Sequence, residues 1–136
     1  MATRLYDFQE KGGRRWLPVK ANVVIKKGEF LGNDGGYARP LVAGDEFLGI
    51  AETDIDNTGG INGTYETKDS AGVLVASYGI VKIDIAASTF ANLHDPVYAS
   101  GANTAVLVAT SNTLIGKYFN KADGAATAAW LSFDAR

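Results

Sequence analysis

The sequence predicts one all-β domain, a small sandwich or barrel that could take a jelly-roll form, preceded by an extended basic N-terminal arm. Two observations predict it. Sixteen glycines and only three prolines punctuate short runs of Val, Ile, Leu, Tyr and Phe along 136 residues, the pattern of strands broken by tight turns. Where a period is visible it is two, as Val81, Ile83 and Ile85 alternate with Lys82 and Asp84, which gives one dry face and one wet one. No long helical period competes with this, and the length suits a single core.

The arm, residues 1–15, is read from charge. Residues 1–30 hold seven basic and three acidic groups, net +4, whereas residues 31–136 hold six and twelve, net −6. A basic arm on an acidic body suits docking on an acidic surface, of a partner or of a neighbouring copy. Gly12-Gly13 reads as a joint, and the β domain, residues 16–136, begins at Trp16. Leu17 to Ile25 reads as a strand, Lys26-Lys27-Gly28 as a turn, and Glu29 to Gly32 as the next strand. Asn33-Asp34-Gly35-Gly36 supplies the left-handed backbone of a tight hairpin. Tyr37 to Leu41 returns, at a sheet edge or with a bulge because Pro40 cannot donate to a ladder. Ala43-Gly44-Asp45 turns into a strand over Glu46 to Ala51. Beyond a polar loop at Asp54 to Gly63, strands are expected over Thr64 to Lys68 and Val73 to Ile85. Ala86 to Leu93 offers caps for one helical turn. Val97 to Ala99, Thr104 to Val108, Leu114 to Phe119 and Trp130 to Phe133 complete the strands.

Phe30 to Ala51 and Val97 to Tyr118 share an ungapped order of strand, turn, strand, turn and strand, with Leu48-Gly49-Ile50 falling on Ile115-Gly116-Lys117. That correspondence is what an internal duplication would leave, giving two similar β units packed together.

Groups for chemistry are scarce. There is one histidine and no cysteine, so disulfides, thiolate nucleophiles and cysteine-ligated zinc are excluded. His94, before Asp95-Pro96, reads as a turn residue rather than a general base. Neither Ser88 nor Ser100 sits in a Gly-x-Ser-x-Gly elbow. Asp54-Ile55-Asp56-Asn57-Thr58-Gly59-Gly60 opens like a calcium loop, but Tyr65 stands where the bidentate carboxylate is required. No metal, cofactor or catalytic residue is assigned, and no phosphate-binding glycine loop appears. Arg14, Arg15, Lys26 and Lys27 beside Trp16 would suit a nucleic-acid strand, yet the acidic body argues against it. The first residues carry no leader-like apolar run, and no stretch has the length of a membrane helix.

Four blocks carry a resemblance: Lys27-Gly28-Glu29-Phe30-Leu31-Gly32; Gly36-Tyr37-Ala38-Arg39-Pro40-Leu41-Val42-Ala43-Gly44-Asp45-Glu46-Phe47-Leu48-Gly49-Ile50-Ala51; Asp95-Pro96-Val97-Tyr98-Ala99-Ser100; and Ser111-Asn112-Thr113-Leu114-Ile115-Gly116. Together they resemble the small capsid cement, or decoration, proteins of tailed bacteriophages and prophages, over roughly residues 20–133. The resemblance implies a non-enzymatic virion protein, made in the bacterial cytoplasm and bound to the outer surface of the capsid. There it would bridge subunits of the major capsid protein and resist the pressure of packaged DNA. It further implies self-association as a homodimer or homotrimer at a symmetry axis, with no membrane and no direct nucleic-acid partner. Arg4, Lys11, Arg14, Arg15 and Trp16 are the expected contacts, since arginines around a large aromatic make an interface anchor; Trp16 would equally serve as a core plug. Arg39-Pro40 reads as protection of an edge strand. Ala71 to Gly79 and the arm depart from the family pattern, which leaves the mode of docking open. Tail or baseplate subunits, and small carbohydrate- or nucleic-acid-binding barrels, are the competing readings.

Overall fold

Consecutive glycines set the first hairpin. Gly35 and Gly36 take φ of +63° and +101°, the left-handed pair that a two-residue β-turn of this hand requires. They join β3 (Phe30–Asp34) to β4 (Tyr37–Pro40). The computed structural model describes residues 13–63, 72–85, 88–122 and 127–136. Among these residues the other strands are β1 (Arg14–Pro18), β2 (Val24–Ile25), β5 (Glu46–Ala51), β6 (Ile55–Asp56), β7 (Gly72–Ala76), β8 (Tyr78–Asp84), β9 (Pro96–Gly101), β10 (Thr104–Val106), β11 (Thr113–Lys121) and β12 (Ala128–Asp134). They form antiparallel sheets ordered β1-β7-β5-β3-β4 and β10-β9-β11-β12-β8, with a small ribbon of β2 and β6.

The two large sheets are wound alike. Taken in chain order, strands one to five of each unit (β1, β3, β4, β5, β7 and then β8, β9, β10, β11, β12) occupy the same places in their sheets. Each sheet then curls until its edges meet. A parallel bridge joins Val19 to Ala38 in the first and Ile85 to Ala105 in the second, so each unit is a partly closed five-stranded barrel.

The finest match is a bulge. Leu48 is the extra residue where β5 passes β3, and Ile115 is the extra residue where β11 passes β9. In each case the next residue is a glycine against a neighbouring backbone. A Cβ on Gly49 would strike the Ala76 carbonyl of β7, and a Cβ on Gly116 the Ser132 carbonyl of β12. The correspondence expected from the sequence therefore holds in space. It slips by one residue in β9, where a bulge leaves Ser100 unpaired against β10 and brings Val97, not Tyr98, opposite the place of Leu31.

Each unit has its own core. Val19, Ile25, Leu31, Ala38, Ala51, Val73 and Val75 fill the first, with Leu17, Val23, Leu48 and Ile55 packed on them. The β2–β6 ribbon supplies Ile25 and Ile55, so it plugs that barrel. In the second unit Ile85, Val97, Ala99, Ala105, Ile115, Tyr118, Ala129, Leu131 and Phe133 form one cluster with Phe30, Leu41, Phe47 and Ile50 from the first. Phe47 makes edge-to-face contacts with Phe30 and Phe133 at centroid distances of 6.2 and 6.4 Å, a favoured aromatic geometry. The first unit thus caps the second, and β3, which faces both clusters, is buried at Phe30, Leu31 and Gly32.

Several expectations change. Val73 to Ile85 is two strands rather than one, in different sheets. The chain crosses at buried Ser77, whose N–H donates to the Gly13 carbonyl and whose carbonyl accepts from the Ala135 N–H, both at 2.7 Å. Leu17 to Ile25 is also split: β1 ends at Pro18, and Asn22 at φ +63° turns the chain into β2. The ordered strand starts before Trp16, because Arg14 and Arg15 are in register with Ala76 and Val75. The helical turn is a short 3₁₀ turn, Phe90–Asn92, in which Thr89 and Asn92 form a reciprocal capping box, as their side chains allow. The strand expected at Thr64 to Lys68 lies outside the described residues. Pro40 does lie in an edge strand, as its missing donor requires.

Candidate docking surface

The shared winding makes the outer faces of the two sheets comparable position by position. Across the first sheet, one row of registered neighbours runs Arg14, Ala76, Ile50, Phe30. The same row in the second runs Ile80, Ser132, Lys117, Pro96. Next to them, Phe47 corresponds to Leu114, each just before the bulged residue, and Leu41 to Val108, each three residues past the bridged alanine.

The environments are opposite. Phe30, Leu41, Phe47 and Ile50 are 4, 3, 7 and 8% exposed, because this face packs on the second unit. Val108 and Leu114 are 61 and 58% exposed, while Ile80, 53% exposed, stands where the first sheet has the exposed Arg14. Trp130 and Phe119, also on the second sheet, are 40 and 47% exposed. In β11 the alternation is the same as in β5, with Ile115 and Tyr118 turned inward where Leu48 and Ala51 are, so the exposure follows from what covers the sheet and not from a change of twist.

Hydrogen bonds weld the units into one block. Phe30 N–H donates to the Ala102 carbonyl at 2.8 Å. The Thr113 hydroxyl donates to the Asp45 carbonyl at 2.7 Å and accepts from Gly44 N–H at 3.1 Å. Asp45 also anchors the turn itself. Its carboxylate accepts from Arg39 Nε and Nη2 at 3.0 and 2.8 Å and from Val42 N–H at 3.0 Å, and it fills the space that a Cβ at Gly32 would occupy. The Arg39 guanidinium holds the Asp45 carboxyl below the usual carboxylate range. Arg39 therefore serves the fold of the turn, at an edge strand.

Of the expected contact residues, Arg4 and Lys11 lie outside the described residues. Arg14 is exposed and pairs with Glu52 at 2.8 Å. Arg15 is half-buried in β1, and its Nε finds no hydrogen-bond acceptor. Trp16 is half-buried, opposite Leu74, and belongs to neither core cluster; its neighbours Leu17 and Val19 take the inward positions. The structure thus brings Arg14, Arg15 and Trp16 onto one strand of the first sheet, with Arg14 and Trp16 on its outer face and Arg15, opposite Val75, on the side of Leu17 and Val19. The apolar face of the second sheet was missed from sequence. Its signal was present in the alternation of β8 and β12, where Ile80 and Trp130 fall on the wet side.

The sparse chemical groups are used by the fold. His94 sits in a turn at φ +67°, and its backbone N–H donates to the Tyr118 carbonyl at 2.8 Å. Buried Ser88 and Tyr118 share a hydroxyl hydrogen bond of 2.9 Å. In the acidic loop, Asp54 accepts from Lys27 N–H and Asp56 from Thr58 N–H, while Asn57 Nδ2 donates to the Lys20 and Ile61 carbonyls. The Thr58 hydrogen bonds hold the Asp56 carboxyl below its ordinary range. These are loop-closing roles. No group of three or more His, Cys, Asp or Glu placed to hold a metal occurs among the described residues, and none of their helices is long and apolar enough to cross a membrane. Comparison with protein-family models, with curated proteins and with solved structures finds no match to this chain.

Proposed function

We propose that this chain is a capsid cement, or decoration, protein of a tailed bacteriophage, a non-catalytic subunit that binds the outside of the assembled shell and bridges neighbouring copies of the major capsid protein. One observation carries the reading. The four blocks that resemble this family fall on β3, β4 and β5 of the first unit and on β9 and the start of β11 in the second, the same part of each barrel. They hold Phe30, Gly44, Asp45 and Thr113, four of the residues through which the units are joined. The resemblance therefore covers part of the junction that holds the two units together.

Rigidity suits the task. A preformed block loses little conformational freedom on docking, so more of its contact energy appears as affinity. Repetition over a lattice adds avidity. In this reading the partners are the major capsid protein and further copies of the chain at a symmetry axis, the protein is made in the bacterial cytoplasm, and Arg14, Arg15 and Trp16 of β1 contribute with the basic residues Arg4 and Lys11.

The test is co-sedimentation with undecorated phage shells across a salt series. Saturable binding is expected, weakened by salt and by removal of residues 1–12. That deletion keeps Gly13, whose carbonyl accepts from Ser77, and so spares the block. No binding to shells at any salt concentration would refute the proposal.

A further inference from the structure

We infer that the open edge of β8, over Tyr78 to Val81, takes an extended segment of a partner polypeptide as an added strand, one that carries an acidic residue beside apolar ones. This binding mode goes beyond the proposed function and needs no shell.

In an antiparallel pair, the N–H and C=O of alternate residues point to the partner strand and those of the others point away. β8 pairs with β12 in unbroken register, from Tyr78 opposite Asp134 to Asp84 opposite Ala128. Just beyond the two ends, Ala135 N–H donates to the Ser77 carbonyl and Ile85 N–H to the Thr127 carbonyl, so the odd-numbered residues face β12. Tyr78 and Ile80 therefore turn N–H and C=O to the other side. Among the described residues no strand pairs with β8 there before the bridge of Ile85 to Ala105.

That side opens on a groove of about 410 Å³ between the units. Tyr78, Gly79, Ile80 and Val81 line it in succession, and Lys27, Gly28 and Ile50 belong to its first-unit wall. Gly28 leaves open space where a Cβ would lie, so a second backbone can approach. A groove walled in this way suits one extended segment better than the edge of another whole sheet. The equivalent edge of the first unit is guarded. Ser77 N–H donates to the Gly13 carbonyl, so by the same alternation Arg14, Trp16 and Pro18 turn their backbone groups away from β7. Pro18 has no N–H to offer there, a common protection of an edge, whereas β8 contains no proline.

Charge sets the chemistry of the partner. Arg14 and Lys27 line the groove with one acid, Glu52. Arg14 pairs that acid at 2.8 Å, and Asp54, outside the groove, accepts from the Lys27 backbone N–H. The Lys27 ammonium is thus left to meet an incoming carboxylate, while Ile50, Ile80 and Val81 offer apolar contact. In such strand addition, backbone hydrogen bonds supply affinity and the flanking side chains supply selectivity.

A displayed library of random dodecapeptides, panned on the full chain, should yield peptides that alternate apolar with acidic residues. A synthetic copy of one should slow amide hydrogen exchange at Tyr78 and Ile80. N-methylation of alternate residues in that peptide should abolish binding for one set and spare it for the other, as strand pairing requires. Lys27→Glu should weaken binding about tenfold, the scale of one close charge pair, with melting unchanged. Ile80→Pro, which removes an outward donor, should weaken it as well. A library that yields no binder overturns the inference. So do peptides that leave Tyr78 and Ile80 unprotected, or that tolerate both N-methylated sets. Exchange slowed by raising the concentration of the chain alone would give the edge to a second copy and overturn the partner named here. Peptide binding as expected in a chain unable to bind shells would uphold this site and leave the capsid reading to fall alone.

Discussion

The two barrels are wound alike, yet one is buried on the face that the other leaves bare. In the first, Phe47 lies under the second unit, between Phe30 and Phe133. In the second, Leu114 stands at the same point of the same strand with more than half its surface in water. The difference teaches that topology and bulges are set by backbone constraints common to both units, whereas burial is set by what each unit finds to pack against. The strongest test is to truncate both side chains. Phe47→Ala should cost about 3–5 kcal/mol, the range for a buried aromatic, and Leu114→Ala within about 0.5 kcal/mol in the monomer, as for an exposed site. Urea unfolding of both variants measures this. Equal losses would break the comparison.

The glycines test its other half, the shared backbone. Gly49→Ala and Gly116→Ala would each drive a methyl group into the carbonyl of the adjacent strand, an overpacking that costs about 1–3 kcal/mol. Gly49 alone also sits at φ +127°, which adds roughly 1–2 kcal/mol for a residue with a Cβ. Both variants should therefore lower the midpoint of unfolding, Gly49→Ala by more. A neutral Gly116→Ala would mean that the bulges only look alike.

Much of this was legible in the sequence. Gly49 and Gly116 aligned there, the Asn33 to Gly36 hairpin was set by its composition, and Pro40 marked an edge. What could not be read was partnership between segments distant along the chain. Val73 to Ile85 is one apolar run, and only its pairings with β1 and β5 on one side of Ser77 and with β12 on the other show that it serves two sheets. The candidate surface was hidden for the same reason: Ile80 and Trp130 sit at outward positions, but their meaning depends on whether another layer covers them, which no local pattern states. The arm's charge was legible, while the paired register of Arg14 and Arg15 was not.

The junction between the units gives a pH-dependent prediction. Asp45 is held ionised by Arg39, with Val42 N–H as a further donor, so its folded-state pKa lies below its unfolded value. Its contribution is then fully present above the ordinary carboxylate pKa of about 4 and is lost as pH falls through the folded value. Asp45→Asn should cost about 1.5–3 kcal/mol near neutral pH, the range for hydrogen bonds to a charged group. It should also flatten the acid limb of a stability–pH curve. An unchanged acid limb would show that the turn draws its stability from the Thr113 hydroxyl instead.

The smallest effect is expected where the chain passes from one barrel to the other, and its sign is reversed. Ser77 is fully buried with a side-chain oxygen that meets no partner, while its backbone bonds to Gly13 and Ala135 hold the crossing. Alanine keeps those backbone bonds and removes a hydroxyl that was desolvated without compensation. Ser77→Ala should therefore stabilise by about 1 kcal/mol, toward the low end of the penalty for an unsatisfied buried polar group. Thermal melting of the variant measures it. A loss of stability instead would mean that the hydroxyl bonds to an internal water, and that the crossing between the barrels is held by its side chain as well as by its backbone.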